Sequence, residues 1–521
     1  MRGSGQSWSC AGGMCVRRTV TIPAAATGVG VVISVLIATG VLTVGVPGEW
    51  VWTRVAPVSL IAAVPALVVG LGVAGGLAAL ARYRGGKVAG VLCLLVVGGF
   101  LLQLAVGYVS VLPLSGEAAI VTIVPYIGGY FYQATRVDDT WQFVREYAEW
   151  MRPVNLEDRV LGHLGDHPPG LVVFYVSAIR LMEACPVAAR AVNRVAATLA
   201  PGGEGVAHAA AGAELTRPQL AAVWLSGWLL RFCMALTVLP FYGLARRVCE
   251  RDVAVKCAML FTFVPAFYVF SPSPDQLFVM SSVLIAHLMA KAWQERKVWP
   301  AALGGCVLFV ALNLTVALVV LVALGGIAGA LSARVRMREG EGQGVLLSRV
   351  GCTVSGVVGG FLIVLVACRL GGYDAVEVWV TALRKHSEFG TQFHRTYWKW
   401  LLVNPLEFWA FFGIPAGGMV LWRLAGAGNR AGVRGLGRDV PLLSLVALLL
   451  VLNLSGKNLG EVARLWMFLM PFAALGAREV LRKVGVEMVA VLAAAQVIQI
   501  VALKLCLDVF SIRMLSQTMP G

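Results

Sequence analysis

Long stretches of this chain contain no charged side chain at all: residues 21–46 and 88–112 are two of them. A hydrocarbon core of ~30 Å is crossed by about 20 apolar residues in a helix, and no other open backbone arrangement satisfies its hydrogen bonds in lipid. With 59% hydrophobic and 13% charged residues over 521 positions, such runs use up most of the length. They predict spans near 21–46, 56–81, 88–112, 219–243, 254–271, 275–291, 299–314, 316–332, 350–370, 403–424, 440–454, 464–480 and 485–508. The expected fold class is thus an all-α polytopic membrane protein of about thirteen transmembrane helices, forming one integral membrane domain over 1–521.

The formal charge of +16 is carried by Lys and Arg at the ends of the apolar runs. That placement suits orientation signals and lipid headgroups, and excludes nucleic acid as the expected partner. The groups Arg82/Arg84/Lys87, Arg246/Arg247/Arg251, Arg296/Lys297, Arg334/Arg336/Arg338, Arg423/Arg430/Arg434/Arg438 and Arg482/Lys483 share one side only if the apolar segment 171–185 does not cross. It is about fifteen residues long and ends at Pro186, which suits an interfacial or re-entrant helix. The region 114–218 then becomes a large first extracytoplasmic loop, 371–403 a second, and 455–463 a short third. The chain is expected in the plasma (inner) membrane, with its N-terminus cytoplasmic and its C-terminus extracytoplasmic. Eleven cysteines lack the C-x-x-C spacing of zinc or redox sites and read as small apolar residues.

Chemistry is expected in the loops. Asp138 and Asp139 precede an aromatic run in which Trp141, Val144, Tyr147 and Trp150 fall at helical spacing, so they serve either as helix caps or as catalytic carboxylates. In Gly165-Asp166-His167-Pro168-Pro169-Gly170 the prolines force His167 out of helical geometry and present an acid and an imidazole together. Pro272 and Pro274 set Asp275 at the start of a span, as a cap or a supporting acid. The second loop holds His386, Glu388, His394, Arg395, Tyr397, Trp398 and Lys399, and the spacing of its histidines matches no metal-binding pattern. In Ser455–Trp466, Glu461 and Arg464 can pair at the edge of a span, where an intramembrane charge costs about 2.5–3.5 kcal/mol and so argues for use. Lys457 and Arg464 together would suit a lipid phosphate.

The order of these parts resembles the C-type (GT-C) glycosyltransferase superfamily, whose protein O-mannosyltransferases and aminoarabinose transferases take sugars from polyprenyl-phosphate carriers. Asp166–Gly170 is similar to that family's H/K-P-P-L/G step, Ser273-Pro274-Asp275 to its Pro-Asp step, and Lys457–Trp466 to its G-E-x-x-R-x-W segment, so the likeness covers about residues 115–480. The resemblance implies glycosyl transfer from a polyprenyl-phosphate sugar to a hydroxyl on a glycan, lipid or protein at the extracytoplasmic face. A carboxylate from Asp138, Asp139 or Asp166 would be the base, and His167, Lys457 and Arg464 would bind the donor phosphate, supported by Asp275, Glu461 and Arg395. Neither a metal nor another cofactor is required by this scheme. One departure is that residues 126–132 lack the early acid usual in the family, Glu117 lying before them and Asp138 after. The rival expectations are a transporter or flippase for a lipid-linked or anionic solute, and a non-catalytic membrane scaffold.

Overall fold

The computed structural model describes residues 12–55, 59–82, 88–109, 114–124, 129–152, 165, 167–391, 394–425 and 436–510. The apolar runs become helices, the first being α1 (Gly12–Ala38), α2 (Val64–Arg82) and α3 (Val88–Val106). A two-stranded antiparallel hairpin, β1 (Gly45–Val46) and β2 (Trp50–Val51), closes the turn between α1 and α2. The first large loop folds into α4 (Leu114–Ile123), α5 (Tyr130–Ala134), α6 (Thr140–Arg145), α7 (Tyr147–Trp150), α8 (Gly170–Ala184), α9 (Pro186–Leu199) and α10 (Gly203–Ala211). Then come α11 (Arg217–Leu236), α12 (Val238–Val248), α13 (Arg251–Thr262), α14 (Ala266–Val269), α15 (Asp275–Glu295), α16 (Val298–Leu314), α17 (Val320–Arg338) and α18 (Gln343–Leu370). The rest is α19 (Ala375–Thr391), α20 (Tyr397–Ala425), α21 (Val440–Leu454), α22 (Val462–Leu465), α23 (Met470–Gly476), α24 (Arg478–Leu481) and α25 (Val486–Cys506).

Among the described residues, eight helices are long and apolar enough to cross a membrane: Ile61–Leu80, Val88–Val109, Arg217–Val248, Asp275–Glu295, Val316–Arg338, Gln343–Leu370, Tyr397–Ala425 and Val486–Cys506. Ala24–Ala38, Val298–Leu314 and Val440–Leu454 are shorter apolar helices beside them. The architecture is an all-α, polytopic membrane bundle, and the eight long helices are a coarser count than the thirteen crossings read from the sequence.

Side-chain contacts sort the bundle into two chemically different ends. At one, Arg247 pairs with Glu295 at 2.8 Å, Glu341 with Arg349 at 2.8 Å and with Arg336 at 3.3 Å, and Arg478 with Asp439 at 2.5 Å. We call this the basic end. The opposite, loop end gathers the described residues of 114–216 and 371–396 together with 455–461: Arg152 pairs with Glu377 at 2.8 Å, Tyr373 donates to Asn313, and Arg395 donates to the Leu459 carbonyl. Between α8 and α9 the chain bends by 109° at Pro186. Asn193 of α9 donates to the Arg217 carbonyl at 3.0 Å and Tyr108 to that of Leu199 at 3.0 Å, which brings the segment back to the end where α8 began.

Two local outcomes differ from the periodicity. The run from Trp141 to Trp150 is two short helices broken at Glu146, with Tyr147 fully buried and stacked on Trp150 at 5.1 Å. Burying those rings against Phe309 and Tyr373 outweighs a continuous interfacial helix. Long α20 is interrupted at Gly413 (φ 117°), a backbone region open in practice only to glycine, between Pro405 and Pro415. Gln499 of α25 repairs the ladder, accepting from Ile414 N–H at 2.9 Å and donating to Ala410 O at 2.6 Å. In lipid such a break persists only where neighbouring side chains satisfy the freed groups.

Candidate functional site

The site builds from the loop end of α20. Asn404, fully buried, donates to the carbonyl of Asn458 at 2.8 Å and accepts from Gly460 N–H at 3.1 Å, clamping the turn that follows α21. One helical turn further, the buried carboxylate of Glu407 accepts from Ala463 N–H at 3.0 Å and from the Trp52 indole at 3.1 Å. Between the two anchors the chain reverses through Gly460 and Glu461, and Glu461 takes a left-handed φ of 58°. A non-glycine residue pays about 1–2 kcal/mol for that conformation, and such strain persists where the surroundings over-determine it. The reversal starts the short helix α22 and directs Arg464 back toward the Glu461 side chain.

The result is a charged cluster. Glu461 pairs with Arg464 at 3.4 Å and with Arg395 at 3.5 Å, while Arg395 also donates to the Leu459 carbonyl. The Arg395 guanidinium lies 5.7 Å from the Trp50 ring and 5.6 Å from that of Trp400, a cation held between aromatic faces. Asp275, Glu461 and the Tyr130 hydroxyl lie within electrostatic range of Arg464, and of these Glu461 is the one at ion-pair distance. The Nε of Arg464 is buried and has no hydrogen-bond partner among the described residues. Asp275 opens α15, where its carboxylate accepts from the Ser273 hydroxyl; Pro274, not Asp275, occupies the capping position. In the turn of the hairpin, Glu49 accepts from Lys399 at 2.9 Å, from Thr396 N–H at 2.8 Å and from the Trp400 indole at 2.9 Å. The bonds from Thr396 and Lys399 hold its carboxyl down to about 2.

His167 joins the cluster through Tyr130, whose ring meets it edge-on at 5.8 Å. Its backbone is fixed by Tyr147, which donates to the His167 carbonyl at 2.8 Å. Pro168 and Pro169 are buried, and Gly170 passes so close to α16 that a Cβ there would sit 2.3 Å from the Asn313 carbonyl oxygen. The Pro-Pro-Gly step is therefore a docking joint as well as a turn.

No protein-family model and no curated protein matches this chain.

Of the residues singled out in the sequence, Arg395, Glu461 and Arg464 share ion pairs, Asp275 lies within electrostatic range of Arg464, and His167 contacts Tyr130. Asp139 does not face them as a free acid: it caps α6, accepting from Trp141 N–H at 2.7 Å and Gln142 N–H at 2.9 Å, and these bonds lower its pKa. Asp138 is exposed, its carbonyl accepting from Arg180 at 2.7 Å. Lys457 is exposed, its backbone N–H donating to Ser455 Oγ at 3.2 Å. Asp166 lies outside the described residues. Sequence reasoning missed Glu49, Trp52, Tyr130, Asn404 and Glu407. A signal existed for Glu407, a lone acid within the apolar run 403–424, where an ionisable residue is a functional candidate by default.

Proposed function

We propose that the protein is a membrane glycosyltransferase that moves a sugar from a polyprenyl-phosphate carrier to a hydroxyl of a glycan, lipid or protein at the extracytoplasmic face. The observation that carries the reading is Arg464: a largely enclosed cation at the bundle's loop end, paired with Glu461, with an Nε that has no hydrogen-bond partner among the described residues and with the Asp275 carboxylate within electrostatic range. A guanidinium so placed suits a phosphate, and its field stabilises the charge that gathers on a leaving phosphate. In this scheme the acceptor oxygen bonds to the anomeric carbon as the bond from that carbon to the phosphate oxygen breaks. The acceptor proton passes to a carboxylate, and the electron pair leaves on the polyprenyl phosphate, neutralised by Arg464 and Arg395. Asp275 is the described carboxylate that best fits the role of base, since Asp139 is engaged as a cap, Asp138 lies on the exposed side and Glu461 is shared between two arginines. Asp166 remains its neighbour in sequence to His167 and belongs to the same scheme.

The positive-inside rule makes the basic end cytoplasmic and the loop end extracytoplasmic. Counting α1, α13 with α14, α16, α21 and α22–α24 as crossings beside the eight long helices gives thirteen, with the N-terminus cytoplasmic and the C-terminus extracytoplasmic. The break in α20 favours the rival transporter reading, since transporters bind substrate at interrupted helices. Here Gln499 fills the break, and the arginine whose Nε has no hydrogen-bond partner among the described residues lies elsewhere, at the loop end.

Binding of the spent carrier tests the site. Purified protein should bind polyprenyl phosphate in preference to the uncharged polyprenol, and Arg464→Ala should weaken the phosphate by about 10-fold or more, as loss of a charge-assisted hydrogen bond does. Equal binding of phosphate and alcohol by the wild type would refute the phosphate assignment.

A further inference from the structure

At the basic end, far from the cluster around Arg464, a cavity of about 410 Å³ runs between α12, α15, α17, α21 and α23. It lies within the ~300–1,000 Å³ typical of sites for small ligands. Its wall follows α17 from Leu321 to Arg336, about 22 Å at 1.5 Å per residue, so it is deep enough for a chain reaching from the bilayer surface past the midplane. The inner wall is apolar, with Leu244, Ile285, Met289, Leu324 and Phe472.

The mouth is polar and cationic. Arg336, Arg438 and Arg478 line it together with one acid, Glu339. Arg336 is paired with Glu341 and Arg478 with Asp439, whereas Arg438 is exposed and has no ion pair among the described residues. Arg334 and Arg338, exposed on the last turns of α17 and likewise without an ion pair among the described residues, add to the surplus beside it. Two further groups in the wall point to an occupant. The indole N–H of Trp293 and the hydroxyl of Thr353 are buried with no hydrogen-bond partner among the described residues. An unsatisfied buried donor costs about 1–3 kcal/mol, which an ester or phosphate oxygen at that depth would relieve.

We infer that this cavity is a binding site for one anionic phospholipid of the adjacent leaflet, its phosphate at Arg438 and an acyl chain between α15 and α17. The inference is independent of the transferase reading, because it uses no residue of the loop-end cluster. An apolar shaft beneath a cationic rim, with oxygen-seeking donors between, matches a charged headgroup, a glycerol ester and a hydrocarbon chain in that order.

The test is lipid retention by the purified full chain after exchange into mild detergent, with phosphatidylglycerol, phosphatidylcholine and inorganic phosphate as probes. The wild type should retain one phosphatidylglycerol, at least fivefold more tightly than phosphatidylcholine, and millimolar inorganic phosphate should not displace it. Arg438→Ala should abolish the preference. Ala328→Trp, which fills the shaft, should release the lipid, with the thermal unfolding curve checking that the variant is folded; Arg482→Ala, on the same end but outside the cavity, should change nothing. Equal retention of both lipids, an unchanged preference in Arg438→Ala, or displacement by inorganic phosphate would each overturn the inference.

Discussion

Single residues decide whether the loop end is a site or only a surface. Glu407 shows how: its buried carboxylate receives two donors, one from the hairpin after α1 and one from the first turn of α22, so it couples distant segments to the strained Glu461 turn. Replacing it with Gln keeps an acceptor for both donors, while Leu leaves the Ala463 N–H and the Trp52 indole unsatisfied. Glu407→Leu should therefore lower unfolding stability by about 1–3 kcal/mol in denaturant titrations in detergent, with Glu407→Gln close to wild type. Equal loss in both would mean that the charge, not the acceptor, is what the turn requires. At this scale the sequence was partly legible. Glu461 and Arg464, three positions apart at a span edge, signal their own pairing. The contact of Tyr130 with His167 spans 37 positions of loop and leaves no local pattern.

Among the elements, one acid of the first hairpin ties it to the end of the second loop by three hydrogen bonds. Glu49 takes three hydrogen bonds from Thr396, Lys399 and Trp400 at the start of α20, and its pKa falls to about 2. A carboxyl depressed in the folded state contributes stability that is complete above its unfolded value near 4.5 and is lost as pH falls toward about 2. The melting temperature in detergent should thus drop more steeply from pH 4.5 to 2 for wild type than for Glu49→Gln; parallel curves would remove Glu49 from the account. Helix existence was legible here because apolar length alone dictates it. Two features were not. Trp141 to Trp150 has helical spacing, yet burial of Tyr147 and Trp150 splits it, and the interruption of α20 depends on Gln499 from a helix 85 positions away.

Across the whole molecule, one end of the bundle carries ion-paired and unpaired arginines, and the other carries polar loops around a largely enclosed guanidinium. The sequence made that asymmetry visible through its basic clusters, although Arg84, Lys87, Arg430 and Arg434 lie outside the described residues. It could not reveal the cavity at the basic end, which is formed where several helices distant in sequence meet rather than by any motif. In a cysteine-depleted background, a membrane-impermeant maleimide should label Lys457→Cys on intact cells and Arg438→Cys only after permeabilisation. The reverse pattern would invert the bundle and move the cluster to the cytoplasm.

The proposed sugar transfer from a lipid phosphate at the loop-end cluster can be tested directly. We would measure transfer of labelled sugar by the reconstituted protein across a panel of polyprenyl-phosphate donors, comparing wild type with Arg464→Ala, Asp275→Asn and Asp138→Asn. Wild type should transfer sugar from at least one donor, Arg464→Ala and Asp275→Asn should lose about 100-fold or more, and Asp138→Asn should be near normal. Undiminished transfer in Arg464→Ala and Asp275→Asn, or none by wild type with any donor despite binding polyprenyl phosphate, would contradict it; the latter would leave the transporter reading in its place.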